Sequence, residues 1–438
     1  MSNVGSNVYM DIQPSNIVST GKVSYRDGNP IIQFIIGEND LHLIGSSVRF
    51  CGNIQVFRDA NETIQVEGDA NKLCLDPKLG IYSVIDTLTI SSQVHKSTIE
   101  RINFYNRFMS SYLPTLSSQQ EALGHLNTQT LMAPNVELQR TQVVNNTNGS
   151  GGIANYLGSS FCVPLNCGIF SGRNPIPLSR SSGVGGIMCE IQLSPDSQVL
   201  FSDTSSATGL TDAYYELTQL KLICEAVVVP DSKSVGNTFE YNSIHSYFNS
   251  INSTNAILNF QLGLSNVLSV FTNFVRSSYI NSFAYDGLAT MTLLQADGTV
   301  APIKQVVVTR AGQKFPWQYN LDCNVRSNTG SEIADPQLVK NFMNAISPYY
   351  SINRTQVSPT TNNRQDFASG WDPRSAEWMV GVGVAFDVIS GQGVNFQNTN
   401  FGLSMETGIT TDSPNAVFLF AKNKSTLVFT PNGVQVIV

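Results

Sequence analysis

Four histidines, seven cysteines and a scatter of carboxylates are the residues with chemistry to offer. His42 lies between leucines, His95 and His125 flank a helical pattern, and His245 falls in an alternating stretch. Neither H-E-x-x-H nor a close histidine pair occurs, so the spacing that brings two imidazoles to one metal is missing. Gly402-Leu-Ser404-Met-Glu406 has no second glycine and is not a nucleophile elbow. Gly21-Lys22 runs into Val23 and Gly312-Gln-Lys314 into Phe315, so neither is a phosphate-binding loop. Gly381-Val-Gly383 and Gly391-Gln-Gly393 lack a third glycine and a following helix, and read as strand or turn glycines.

The cysteines (Cys51, Cys74, Cys162, Cys167, Cys189, Cys224, Cys323) are odd in number and sit mostly inside apolar patterns. They read as small buried hydrophobes in a reducing compartment, not as a disulfide framework. Cys162 and Cys167 alone are close, and one such spacing without a second pair is a poor zinc signal. Asp59/Glu62 and Glu67/Asp69 lie in loops without the regular ligand series of a calcium loop, so solvated acidic turns describe them better. Tyr279, Phe283 and Tyr285 form an aromatic cluster that would stack on sugars or bases, although packing is the commoner use of such rings. No catalytic, cofactor-binding or metal-binding residue is assigned, no cofactor is implied, and an enzyme is not expected.

The composition narrows the class further. The chain has 438 residues, a mass of 47.7 kDa and a net charge of −7, which argues against electrostatic coating of nucleic acid. Charged residues are 13%, against the ~25% usual in soluble domains. A surface poor in charge repels copies of itself weakly and suits close packing against neighbours. The N-terminus shows no signal-peptide pattern, and the longest apolar run, Met379 to Ile389, is too short for a membrane span and contains Asp387.

The elements that would position these residues are mostly strands. Asp212 to Pro230 anchors the reading: Leu220, Leu222, Cys224, Ala226 and Val228 alternate with Lys221 and Glu225, and Pro230 stops the run. Its phase breaks between Leu217 and Leu220, which predicts a bulge. Before it, residues 1–20 read as a polar arm, and strands are expected at Pro30–Ile36, Ser47–Phe57, Ile81–Ser91, Ser160–Leu165 and Gly185–Leu193. A capping box at Ser97-Thr-Ile-Glu100 predicts a helix carrying Ile99, Ile102, Tyr105, Phe108, Met109 and Tyr112 up to Pro114. A further short helix over Ser117–Leu126 and a long loop to Ile153 follow.

The second half repeats this order. Strands are expected at Phe239–Phe248, Ala256–Leu264, Val267–Val275, Thr290–Leu294 and Ile303–Thr309, then a helix from Asp335 to Pro348 and a polar loop. Trp378–Ile389, Gly402–Gly408, Ala416–Phe420, Thr426–Phe429 and Val434–Val438 complete the set. Both helices carry Phe-Met-x4-Pro, as Phe108-Met109 with Pro114 and Phe342-Met343 with Pro348. The fold class is all-β: two tandem eight-stranded jelly-roll sandwiches with a few short helices in the connections. The arm is 1–20, the first jelly roll 21–232 and the second 233–438.

Three passages resemble double jelly-roll major capsid proteins (hexon-like), such as those of polinton-like viruses and virophages. They are Tyr214-Tyr-Glu-Leu-Thr-Gln-Leu-Lys-Leu-Ile-Cys-Glu-Ala-Val, Val270-Phe-Thr-Asn-Phe-Val-Arg-Ser-Ser-Tyr-Ile-Asn-Ser-Phe, and Arg310-Ala-Gly-Gln-Lys-Phe-Pro-Trp-Gln-Tyr. The resemblance implies a homotrimeric, pseudo-hexameric capsomer in the icosahedral shell of a dsDNA virus, assembled inside the host cell and not secreted. Its partners would be copies of itself, penton proteins and minor or cement proteins. Sequence-specific nucleic-acid binding is not expected, and contact with an inner membrane is left open. The alternative is a carbohydrate- or receptor-binding β-sandwich, an adhesin or viral attachment protein.

Overall fold

A computed structural model describes residues 7–17, 21–28, 30–62, 71, 73–76, 79–112, 159–172, 174–202, 207–228, 238–275, 279–285, 287–288, 303–318, 320–322, 341–342, 344–346, 381–386, 392–407, 415–430 and 433–438. The first half supplies eight principal strands: β1 (Asn7–Ile12), β2 (Ile31–Ile36), β3 (Leu41–Phe57), β4 (Ile85–Ser92), β5 (Thr98–Ile102), β6 (Ser159–Pro164), β7 (Ile187–Leu193) and β8 (Tyr214–Val228). A short helix, α1 (Tyr105–Tyr112), follows β5, and one further helical turn covers Asp196–Val199. The second half supplies β9 (Thr238–Ser250), β10 (Asn255–Phe260), β11 (Val267–Val275), β12 (Ile303–Arg310), β13 (Gln313–Lys314), β14 (Gly383–Ala385), β15 (Phe401–Thr407), β16 (Ala416–Thr430) and β17 (Gly433–Ile437).

Strand order establishes the architecture. The first half pairs as β1-β8-β3-β6 in one sheet and β2-β7-β4-β5 in the other. The second pairs as β9-β16-β11-β14 and β10-β15-β12-β13. Adding eight to each strand number of the first half gives the second. Two four-stranded antiparallel sheets in this order are a jelly roll, so the chain is two of them in tandem. The last strand, β17, pairs with β16 beyond the stretch of β16 covered by β11.

The anticipated anchor strand forms as β8, with Leu217, Leu220, Leu222, Cys224 and Ala226 buried. Its bulge is also present. Thr218 pairs with Asn53 but Lys221 with Cys51, so one residue is extra on β8, and Gln219 takes a left-handed φ of 51°. A second register shift falls between Ile223 and Glu225, where β3 carries the surplus around Gly45 to Val48. The Ser47 hydroxyl satisfies the Glu225 N–H there at 2.8 Å.

Several expectations are corrected. Within the expected arm, Asn7–Ile12 form β1, the first strand of the first jelly roll, in register with Ile12↔Leu222 through Asn7↔Val227, while residues 1–6 and 18–20 lie outside the described residues. Alternation explains it, since Met10 and Ile12 pack against the core while Tyr9 is 71% exposed. The capping box does not form either. Thr98–Ile102 is strand β5, and α1 begins only after Phe104, whose φ of 56° breaks the strand. Ile81–Ser91 splits into a 3-10 turn over Gly80–Val84 and strand β4. Ala416–Phe420 and Thr426–Phe429, expected as two strands, are one, with Lys422, Asn423 and Ser425 buried in the middle of β16. Ser117–Leu126, Thr290–Leu294 and the start of the Asp335 helix lie outside the described residues; residues 341–342 and 344–346 are helical.

Among the described residues the buried apolar side chains form two clusters. One is the interior of the second sandwich, built on Val270, Phe274, Leu403, Val417 and Leu419. The other begins in the first sandwich and continues without a break into Phe271, Phe342, Phe418 and Phe420 of the second. Neighbouring residues of β11 and β16 therefore face different cores, and both strands are buried along nearly their whole length. Phe271 touches Phe108, Phe342 and Phe420 at ring-centroid distances of 6.2, 6.3 and 5.4 Å. Phe271→Ala should cost about 3–5 kcal/mol, and calorimetry should show both sandwiches destabilised in one transition. Separate transitions, with only one moved, would contradict a shared core.

Candidate functional site

Among the described residues the densest set of buried polar groups lies where the two sandwiches meet. Strand β5 runs beside β9, and α1 is buried at all eight of its residues, so it packs as a wedge between the halves. Phe108 reaches Phe271 and Phe420, while Phe104 lies edge-on to Phe418 at 4.8 Å. Asn273 of β11 donates to the Arg107 carbonyl and the Ser111 hydroxyl, both at 2.7 Å. Arg107 is fully buried, donates to the Gly287 carbonyl and lies 5.3 Å from the Phe418 ring centroid. The Tyr241 hydroxyl donates to the Ile99 carbonyl at 2.7 Å.

Glu100 is the most constrained of these groups. One carboxylate oxygen accepts from Gly168 N–H at 3.0 Å and Ile244 N–H at 2.8 Å, and the other from Ile169 N–H at 2.9 Å. A residue expected to cap a helix instead clamps a loop of the first sandwich to strand β9 of the second. Burial pushes its carboxyl up to about 7, although the three N–H groups pull the other way. Gly168 is required by the same contact, since a Cβ there would lie 1.8 Å from the Asn242 carbonyl oxygen. Beside the clamp is a cavity of about 380 Å³, lined by Phe108, Cys167, Gly168, Tyr241 and Lys424 among others. Lys424 is paired with Glu240 at 3.1 Å at its edge.

The residues weighed for chemistry are spread over the molecule. Ser404 lies in the middle of β15 without a strand-to-helix turn, and Gly383 is a strand residue of β14. A Cβ on Gly381 would meet the Thr272 carbonyl oxygen at 1.6 Å, so close backbone approach accounts for that glycine. Gly312 turns β12 into β13 with a φ of 78°. Asp59 accepts the Asn61 N–H at 2.9 Å within a turn, and Glu67/Asp69 lie outside the described residues. Among the described residues no group of three His, Cys, Asp or Glu could hold a metal ion. Tyr279 and Tyr285 stack on each other at 4.7 Å, which occupies one face of each ring, and Phe283 packs against the shared core.

Two arrangements were invisible in the linear sequence. The Ser243 hydroxyl bonds His245 Nε2 at 2.8 Å and the Ser425 hydroxyl at 2.6 Å, and burial holds the imidazole down at about 4. Ser243 is itself buried, and the chain of hydroxyls stitches β9 to β16. Cys51 and Cys162, 111 positions apart, face each other across β3 and β6 with their sulfurs 2.7 Å apart. Only strand register could reveal either.

The whole chain aligns with solved capsid structures. PBCV-1 VP54, fitted into a reconstruction of the virophage Sputnik, matches at a TM-score of 0.56 over 99% of this chain and 97% of that one, with 10% identity. The fold is that of a double jelly-roll capsid protein. The Faustovirus major capsid protein matches at 0.53 with 10% identity, covering 97% of this chain and 90% of the other. The mavirus major capsid protein matches at 0.50 with 9% identity, covering 98% and 90%. No protein-family model matches the sequence, and no curated protein matches it significantly. The sequence-level resemblance to virophage shell proteins thus holds at the level of fold, over nearly the full length.

The clamp makes a pH prediction. The carboxyl of Glu100 is raised in the folded state, so its contribution is fully present below the ordinary carboxylate pKa and is lost as pH rises through about 7. The melting temperature should therefore fall between pH 5 and 8, and Glu100→Gln should flatten that slope. An unchanged slope in the variant would show that Glu100 does not titrate in this range. Gly168→Ala should lower the melting temperature by forcing β9 away from the loop, measurable by thermal unfolding at fixed pH.

Proposed function

We propose that this double jelly roll is a structural major capsid protein that forms pseudo-hexameric homotrimeric capsomers of an icosahedral dsDNA virus shell. The observation that carries the reading is the strand order repeated in the two halves, with both jelly rolls joined by a shared core. A tile that must present two similar sandwiches at a constant angle needs such a junction. The sparse charge supports close lateral packing, because few ions lose water when copies meet. Copies of itself are the principal partners, with penton and minor or cement proteins as neighbours. Its place is the virion shell, assembled inside the host cell and not secreted, without sequence-specific nucleic-acid binding and without catalysis. We divide the chain at 232/233, with the first jelly roll drawing β1 from the segment before residue 21.

Light scattering on the purified chain should give about three times the 47.7 kDa subunit mass, and negative-stain images should show pseudo-hexagonal particles. A stable monomer that binds a glycan array would instead establish the attachment-protein reading. Removing residues 1–20 takes β1 away from β8, so the truncated chain should melt at lower temperature and yield fewer trimers. Full stability after truncation would mean that β1 is dispensable to the sheet.

A further inference from the structure

Cys51 and Cys162 occupy directly opposed positions on neighbouring antiparallel strands. Opposed positions hold Cα atoms about 4.5–5.5 Å apart, within the 4.4–6.8 Å that a disulfide spans. Their sulfurs are already 2.7 Å apart, so closing to a bond of about 2.0 Å needs only a small rotamer adjustment. Both lie on the outer face of their sheet, since the alternate residues Phe50, Ile54, Phe161 and Val163 fill the core. Cys51 is buried, whereas Cys162 is half-exposed.

The surroundings favour a thiolate at Cys162. Lys221 sits opposite Cys51 on β8 and Arg49 lies two residues along β3 on the same face. The hydrogen bond from Cys51 and these two cations bring the Cys162 thiol down to about 7, while Cys51 is pushed up. Cys167, Cys189 and Cys224 are buried, and burial raises their thiols. The pair has no part in the junction between the sandwiches.

We propose that Cys51 and Cys162 are a redox modification site, a cross-strand dithiol that reversibly becomes a disulfide by exchange with a low-molecular-weight disulfide. Cys162 thiolate attacks one sulfur of the small disulfide, forming a mixed disulfide and expelling one thiolate. Cys51 then releases its proton to solvent and attacks Cys162 Sγ, expelling the second thiolate. Two protein thiols are oxidised and one small disulfide is reduced to two thiols. The bond would tie β3 to β6 across a loop containing β4 and the junction elements β5 and α1, and so would stabilise the first sandwich against unfolding. The proposal is independent of the capsid reading.

The test treats the purified full chain with excess oxidised glutathione near pH 8, blocks remaining thiols by alkylation, and maps peptides without reduction. The expected product is a Cys51–Cys162 linkage, two hydrogens lighter, reversed by dithiothreitol and accompanied by an upward shift in melting temperature. Cys51→Ser should stop at a glutathione adduct on Cys162, and Cys162→Ser should leave Cys51 unmodified. The proposal is overturned if both residues of the unaltered chain are recovered alkylated, or if the bridge forms with a different cysteine. Peptide mapping of the unaltered chain decides the point even if a variant fails to fold.

Discussion

A sheet buried on both faces is the constraint from which the rest follows. In most sandwiches one face of each sheet meets the core and the other meets water, which produces alternation. The β9-β16-β11-β14 sheet lines its own sandwich with Val270, Phe274, Val417 and Leu419, and lays Phe271, Phe418 and Phe420 against the other. That is why Ala416-Val-Phe-Leu-Phe-Ala421 is apolar at every position. The strand cannot shift register by one residue without exchanging two well-packed sets of side chains. Burial on both sides thus holds the sheet in register and the sandwiches at one angle.

Desolvation then dictates the polar chemistry of the seam. Backbone N–H groups at the meeting of β5, β9 and the 167–170 loop are shut off from water, and each needs an acceptor. Glu100 provides acceptors for three of them with one side chain, at the cost of burying a carboxyl group. Asn273 and Arg107 answer the opposite need around α1, donating to the buried carbonyls of Arg107 and Gly287. These bonds are directional where the apolar contacts are not, so they specify orientation while the phenylalanines supply the bulk of the adhesion.

The two jelly rolls are alike in strand order but not in how they use their faces. The first is covered at the seam by α1 and β5, and the second offers the bare face of its sheet. Phe108 and Phe342, from the shared Phe-Met-x4-Pro fragment, both contact Phe271. The phenylalanine of the shared fragment therefore has a packing role in both halves.

By itself the sequence determined the all-β class, the tandem arrangement, the long strand ending the first half and the bulge within it. These are local properties: side-chain alternation, a broken phase and a proline stop can be read within a dozen residues. Where a residue's role depends on what lies across a sheet or a seam, local pattern pointed elsewhere. Ser97-x-x-Glu100 has a capping spacing, yet burial against β9 turned Glu100 into an acceptor for another strand's backbone. Lys422 and Asn423, polar residues between two expected strands, lie within β16, since partners from distant positions satisfy the buried groups, as Asn266 N–H does for Asn423 at 3.1 Å. The polar first segment joined the sheet as β1 because β8 had an open edge beside it. Cys51 and Cys162 became neighbours only through the register of β3 and β6. Tertiary structure decided these points because register and desolvation are properties of pairs of segments, and no single segment carries them.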